Sequence, residues 1–432
     1  MTSRHKTMKD ESSHLSKSSL DTQTSRIYYL DWLRIIVILS VFFHHCSRIF
    51  DFRDYPIHST VKSLFLTVHR EFFNLWMMPL LFIISGAAVY YSLKLRKTGG
   101  FIKERSLRIL VPLLFIGIFV IAPPQVYLER LINGEFSGTF FEWYPHYFEG
   151  DYPSGNFAIS GIHLWYLWYL FMFSLILLPL FIPKRKTGVS IISRISNLFK
   201  KPWVLLLLFV PLAAVAPLEI YSTRLAGGWD ILPYLIFFIY GYLIFSNARI
   251  QESIRRYCTA CLVAAFILTI LYLYLEFGDS FPEISSQMLT PYKILIMSVA
   301  GKSANPPNFT LTWIGFFELR SLVACCWIVA ILGFGSRFLN FNNRFLVYAN
   351  EAALPFYILH LTIINIIGFF VIQWTIGIAT QYIIIAMTSF IIIMIIYELL
   401  VRRINVLRFL FGMKLKRNLK VPQDSPSLIK ER

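Results

Sequence analysis

Long apolar runs separated by short polar or charged connections make up most of the chain. Windows of about 20 predominantly apolar residues, the length a helix needs to cross a bilayer, fall at 30–50, 71–93, 107–127, 162–182, 202–219, 229–246, 257–277, 310–334, 351–372 and 378–401. The pattern predicts an all-α, polytopic membrane protein with about ten transmembrane helices, since a helix satisfies its own backbone polar groups in lipid. Residues 1–26, rich in Ser, Thr, Lys and Asp, lack the apolar core of a signal peptide and read as a disordered cytosolic leader. Residues 27–412 form the membrane domain and 413–432 a basic cytosolic tail. The stretch 278–309 is ambiguous, because its apolar piece at 292–300 is too short to span and reads as re-entrant or as loop.

Composition agrees with the pattern: 56% of residues are hydrophobic and 15% charged, against about a quarter charged in a soluble chain. A net charge of +17 would raise nucleic acid in a soluble domain. In a membrane chain it reports cytoplasmic loops facing anionic lipid. Of the 41 Lys and Arg residues, 31 fall in alternate connections that include both ends of the chain. Both termini are therefore expected in the cytosol and the protein in the cytoplasmic membrane. The five cysteines lie in apolar runs and suggest buried thiols, with no disulfide framework and no metal site.

Ionisable residues inside a span are costly enough to be functional candidates. In the first span, Arg34 and His45 are 11 residues apart, about 20° past three full turns and about 16 Å along the axis. Asp31 falls on the same stripe, whereas His44 points about 80° away from Arg34. The register thus selects His45 over His44 as the deep imidazole, with a structural hydrogen-bond role open beside a catalytic one. Arg105 and Arg108, at i and i+3, form with Lys103 a group suited to phosphate oxygens, or alternatively a set of snorkelling topology determinants. Ser85 and Gly86 open a Ser-Gly-Ala-Ala run that fits either close helix contact or a threaded cofactor arm. His163 and Trp165 begin the fourth span from outside, and His360 lies nine residues after Glu351, near the midplane.

The connection 125–161 carries five acidic residues against Arg130 alone. They are interleaved with aromatics, among them Glu142 beside Trp143. Such a surface suits carbohydrate, with rings stacking on sugars and carboxylates accepting from hydroxyls; an aromatic belt at the headgroup level is the other reading.

Taken in order, these residues resemble the acyltransferase 3 family of integral membrane acyltransferases, and within it the glucan biosynthesis protein C branch. The resemblance runs through Leu30-Asp31-Trp32-Leu33-Arg34 with His45 at Arg-x10-His spacing, Trp76 to Gly86, and Arg105-x-x-Arg108. It continues in Ala122 to Leu131, Trp143 to Gly155, His163-Leu164-Trp165, and Asn350 to His360. It implies a cytosolic acyl-CoA donor, acetyl-CoA or succinyl-CoA, and an extracytoplasmic hydroxyl acceptor on a glycan or related envelope molecule. It also implies a catalytic histidine matching His45, in a group with Arg34 and Asp31, and donor recognition at Arg105 and Arg108. Acceptor contacts are expected from His163, Trp165, Glu142, Trp143 and His360. The doublet His44-His45 departs from the family, which often has Tyr or Val before the histidine.

Physically, a sugar hydroxyl is protonated at neutral pH, so an adjacent neutral imidazole must take its proton as it attacks a thioester, an assistance worth roughly 10²–10⁴-fold. A transient acyl-imidazole on His45 is the alternative. The rival class is a proton-coupled transporter or flippase of a glycan or lipid, which midplane histidines also suit; the paired broken helices of many such folds are missing. The sequence gives no support for ATP-driven action, since Gly301-Lys302-Ser303 has Ile296 where a phosphate-binding loop needs glycine.

Overall fold

The computed structural model describes residues 27–53, 55–182, 208–215, 229–277 and 311–416. Seven helices there are long and apolar enough to cross a membrane and two more are shorter and apolar. In chain order they are α1 Tyr28–Arg48, α2 Leu64–Leu95, α3 Thr98–Ile132, α4 Ile162–Ile176, α5 Ile231–Ser246, α6 Ala248–Phe277, α7 Leu311–Phe338, α8 Arg344–Val371 and α9 Ile378–Val401. They coincide with nine of the ten apolar windows. The remaining window, 202–219, is represented among the described residues by a short helix, Phe209–Val215. The ambiguous stretch at 278–309, the leader, and most of the basic tail lie outside the described residues. Among the described residues the β pairing is a single bridge between Asp151 and Phe157.

Several helices begin earlier than their hydropathy does. α2 starts at Leu64, where Ser63 caps it by accepting the Leu66 N–H at 3.3 Å, and α8 starts at Arg344, where Asn343 accepts from the Leu346 N–H at 2.7 Å. The charged turns that depress hydropathy are helical all the same, because their side chains are paired. Arg70 and Glu71 on α2 meet at 2.8 Å, Arg70 also holds Asp51, and Tyr272 of α6 donates to Glu71 at 3.0 Å. Buried charges survive only when partnered in this way. The cluster ties the exit of α1 to the entry of α2 and the end of α6.

α3 carries two π-helical stretches, Ser106–Leu110 and Pro112–Ile121. Pro112 has no N–H to donate to the carbonyl four residues back, so the regular ladder breaks there. Gly412, in the left-handed region at φ +68°, packs directly over the carbonyl of Arg108 that this leaves exposed.

At the centre, α1 packs on α2 and α8, and α2 also packs on α5 and α7. Most of the apolar surface of α2 is buried within the protein, whereas α6 and α9 turn Phe266, Ile270, Ile383 and Ile391 outward, as lipid-facing helices do. α2 and α5 approach closest at Gly86 and Gly241: a Cβ on Gly86 would meet the Phe238 carbonyl oxygen at 2.0 Å. The bundle has two distinct ends. One gathers Arg34, Arg96, Arg105, Arg108 and Asn350; the other gathers His45, Arg70, His163 and Asn365.

Candidate active site

α1 builds both functional regions with one stripe. Arg34 and Ile38 face a cavity of about 440 Å³ at the arginine end, and Val41, His45 and Arg48 face a second of about 320 Å³ toward the other end. The spacings of four, three, four and three are those of a single helical face. Both volumes fall in the range of small-molecule sites.

In the larger cavity, Arg34 is held by Asp31 at 3.4 Å and by the Asn350 side-chain oxygen at 3.1 Å. Arg105 lies over the Phe101 ring at 5.2 Å, and Arg108 donates to Glu104 and to the Gly412 carbonyl, both at 3.3 Å. Glu104 is shared with Arg96 at 3.0 Å. Four arginines against two carboxylates, Glu104 and Asp31, leave a cationic chamber suited to phosphate groups. Ser85 closes it inward, hydrogen-bonded to the Tyr166 hydroxyl at 2.5 Å and donating to the Leu81 carbonyl at 2.8 Å.

The smaller cavity is lined by imidazoles. His360 sits between His45, with ring centroids 5.2 Å apart, and His163, 4.9 Å away and edge-on. Each ring has a distinct hydrogen-bonding state. His163 donates Nε2–H to the Ile358 carbonyl at 3.2 Å, and its Nδ1 lies 3.4 Å from the side-chain nitrogen of Gln125. Gln125 in turn donates to Thr362 at 2.9 Å, and Thr362 to the Ile121 carbonyl at 2.8 Å. His360 donates Nδ1–H to the Tyr357 carbonyl at 2.6 Å. Both His44 and His45 line this cavity; His44 is buried and donates Nδ1–H to the Arg70 carbonyl at 3.3 Å, and His45 is half-buried. Trp165 stacks on Tyr234 at 5.2 Å and lines the same cavity.

Tyr357 belongs to both walls. Its hydroxyl donates to the His163 carbonyl at 2.9 Å, and its ring meets Tyr166 edge-on at 5.7 Å. It is the partition between the two chambers.

Several expectations change in this geometry. Arg34 and Asp31 share the arginine chamber and not the histidine one, because 11 or more residues of helix carry them about 16 Å or further from His45. They cannot touch atoms reacting at that imidazole. Lys103 is exposed and lines neither chamber. Gly86 is spent on the contact with α5, so the small-residue run serves helix packing there while Ser85 faces the cavity. Trp143 is 1% exposed, the centre of a small core with Ala122, Val126, Tyr147 and Ala158 that folds the connection 133–161 onto α3. Glu142 caps the short helix Phe140–Trp143, and hydrogen bonds from the Thr139 N–H and hydroxyl hold its carboxyl below the usual range. Neither residue lines either chamber; Phe141 and Phe148 are the aromatics this connection exposes.

Sequence reasoning did not single out Tyr357, Tyr166, Gln125, Asn350, Arg48 or Arg70. Arg48 was within reach, since it continues the α1 stripe one step past His45, and the adjacent Arg70-Glu71 pair stood directly before an apolar window. The others are ordinary polar residues that gain meaning only from tertiary neighbours. Among the described residues, no group of His, Cys, Asp and Glu is arranged to hold a metal ion.

The chain is similar in sequence to proteins named glucans biosynthesis protein C: that of Shigella dysenteriae serotype 1, 23% identical over 349 residues covering 78% of this chain and 81% of that protein, and those of Salmonella gallinarum at 23% and Escherichia coli K12 at 22% over the same shares. No solved structure matches it. The family model for the acyltransferase domain matches residues 27–398, most of the chain and both chambers. The protein is a membrane acyltransferase belonging to the acyltransferase 3 family.

Proposed function

We propose that the protein transfers a small acyl group, acetyl or succinyl, from cytosolic acyl-CoA to a hydroxyl on an extracytoplasmic glycan or related envelope molecule. The observation that carries this reading is the pair of chambers meeting at Tyr357, one cationic and one lined by histidines. The excess of Lys and Arg in alternate connections supports assigning the arginine end to the cytosol. Coenzyme A's phosphates then meet Arg34, Arg105 and Arg108, and its extended arm runs along the α1 stripe toward His45. The relatives' printed name supports a glucan as the acceptor.

At the junction, His45 takes the proton of the acceptor hydroxyl as the oxygen attacks the thioester carbonyl. The carbon–sulfur bond breaks and the proton passes to the leaving thiolate. Only the acyl group crosses; the cofactor stays on its own side. Neighbouring imidazoles and the Tyr357 ring exclude bulk water, so hydrolysis does not compete with transfer.

The test is acyl transfer by the purified protein in nanodiscs with acetyl-CoA and succinyl-CoA, alongside mass spectrometry of envelope glycans and lipids from cells with and without it. A mass shift of acetyl or succinyl size that depends on the protein is the expected result. Changing both Arg105 and Arg108 to Ala is expected to raise the donor's KM, at about 1.5–3 kcal/mol per charge-assisted bond lost. Proton-dependent movement of a glycan or lipid without any acylated product would replace this reading with transport.

A further inference from the structure

Attack on a thioester turns its carbonyl oxygen into an oxyanion, and in a chamber walled off from water that charge needs a donor already aimed at it. Among the described residues that line the histidine chamber, three are arginines, Arg48, Arg53 and Arg70, and none is a carboxylate. The acids of this region lie off the chamber wall, against two of the three. Glu71 meets Arg70 at 2.8 Å and Arg53 at 3.6 Å, Asp51 also holds Arg70, and Glu276 also holds Arg53. Those two guanidiniums are fixed in an ion-pair network. Arg48 stands in a different place.

Arg48 is the last residue of α1, one step past His45 on the face that lines the chamber, about 4.5 Å further along the axis. Side chains on a helix lean toward its N-terminus, so the long Arg48 side chain leans back toward the turn that carries His45. Its guanidinium carbon lies over the Tyr55 ring, 4.8 Å from the centre. That ring is itself held, because the Tyr55 hydroxyl donates to the Asn365 side-chain oxygen at 3.0 Å. A stacked guanidinium keeps its N–H groups at the rim. It carries five donors, so it can serve a neighbour and still present others to the chamber.

We propose that Arg48 is a second catalytic residue of the acyl transfer, whose guanidinium donates hydrogen bonds to the thioester carbonyl oxygen and stabilises the negative charge that forms there. The inference rests on the reading of the protein as an acyl-CoA-dependent transferase with His45 as base. The donor passes Tyr357 with its acyl end leading, so the acyl carbonyl is the part that reaches His45 and the turn beyond it. As the acceptor oxygen bonds to the carbonyl carbon, the carbonyl electron pair moves onto its own oxygen and the hydroxyl proton passes to His45. The oxyanion then lies against Arg48. When the carbonyl re-forms, the carbon–sulfur bond breaks and the proton moves from His45 to the thiolate, which leaves coenzyme A and the ester. Arg48 keeps all its protons throughout. It meets a full negative charge only in the intermediate and a carbonyl dipole before and after, so its contact favours the transition state over the ground state.

The experiment compares Arg48→Met, Arg48→Lys and His45→Ala with wild type in nanodiscs, using acetyl-CoA and succinyl-CoA in turn and an envelope extract from cells lacking the protein as acceptor. It reads kcat and the donor and acceptor KM values. Expected in Arg48→Met is a kcat lower by about 10²–10³-fold with either donor, with both KM values close to wild type. Arg48→Lys restores a cation and is expected to recover about tenfold or more of that loss. A loss confined to succinyl-CoA would assign Arg48 to the carboxylate of the acyl chain and overturn the proposal. So would a change in KM alone, a kcat in Arg48→Met within about tenfold of wild type, or an equal loss in the Met and Lys variants. A role at the helix end alone would lower the unfolding temperature and leave kcat unchanged. Coenzyme A binding, measured for each variant, reports that the protein is folded; should Arg48→Met fail to bind it, Arg48→Gln, neutral and polar, takes its place with the same expected loss. An active His45→Ala protein, or a wild type without transfer, defeats the underlying reading instead, whereas an inactive His45→Ala with a fully active Arg48→Met defeats the oxyanion role alone.

Discussion

His44 and His45 are neighbours in the chain and meet different surroundings. Both border the histidine chamber, but His44 is buried with its Nδ1–H on the Arg70 carbonyl, whereas His45 lies beside His360. Loss of polarity alone would affect the two alike. With His45 as base, His45→Ala is expected to lower acyl transfer by about 10²-fold or more while the protein is still made and still binds coenzyme A. His44→Ala is expected to retain appreciable activity and to lose stability by about 0.5–1.5 kcal/mol through the missing hydrogen bond, read as a lower unfolding temperature in detergent. Full activity in a well-folded His45→Ala protein ends the proposed mechanism. The α1 stripe was legible in the sequence because a helix converts spacing into direction: Arg34 to His45 closes three turns, and Arg34, Ile38, Val41, His45 and Arg48 follow that arithmetic. The role of Trp143 was not legible, since an aromatic in an outer connection looks the same whether it faces solvent or centres a small core. Arg70 makes a second case. It sits between Asp51 and Glu71 with 1% of its surface exposed, so Arg70→Met leaves two buried carboxylates facing each other. A loss of about 3–5 kcal/mol is expected, and an unfolding temperature equal to wild type would show the cluster to be solvated.

At the scale of elements, the apolar windows located nine helices and set the starts of α1, α2, α3, α6 and α8 too late. Hydropathy fails at Arg70 and Glu71, yet the helix continues, because charge pairing replaces lipid as the partner of those turns. The π-helical stretches in α3 left no trace in the pattern: residues 109–122 are apolar on every face, so periodicity carries no phase there. Glycine contacts were half legible. The Ser85-Gly86 run was recognisable as a close-contact surface, but its partner Gly241 was not singled out, and only the fold pairs them. A Cβ on Gly241 would lie 2.0 Å from the Ile83 carbonyl oxygen, a backbone atom that cannot swing aside. Gly241→Ala is therefore expected to push α2 and α5 apart, at about 1–3 kcal/mol. Gly99→Ala is the control, because a Cβ there meets nothing within 4 Å and helix propensity alone favours alanine by about 0.8–1 kcal/mol. Thermal unfolding of the two variants should move in opposite directions; a neutral Gly241→Ala would mean the helices have slack at their closest approach.

For the molecule as a whole, function depends on which side each chamber faces, and the fold and the charge count bear on that independently. The packing of α1 to α9 places Arg96, Arg105, Arg255, Arg337, Arg344 and Arg402 at one end of the bundle, and the same residues fall in the connections that the distribution of Lys and Arg assigns to the cytosol. Glu398 pairs there with Arg402 at 2.8 Å, as expected of a helix end and not of a reactive group. Single cysteines replacing Lys97 and Glu149, both exposed and at opposite ends of α3 and its following connection, test the orientation. In intact cells a membrane-impermeant maleimide should modify the cysteine at 149 and spare the one at 97 until the membrane is opened. The five native cysteines lie within apolar segments and set the background. Labelling at 97 from outside would turn the cationic chamber toward the acceptor side, where no cytosolic cofactor can reach Arg105, and would remove the donor half of the mechanism while leaving the histidine array intact. Labelling at 149 alone leaves a single consistent route: phosphates held at the arginine end, the thioester delivered past Tyr357, and the hydroxyl received at His45 from the other side.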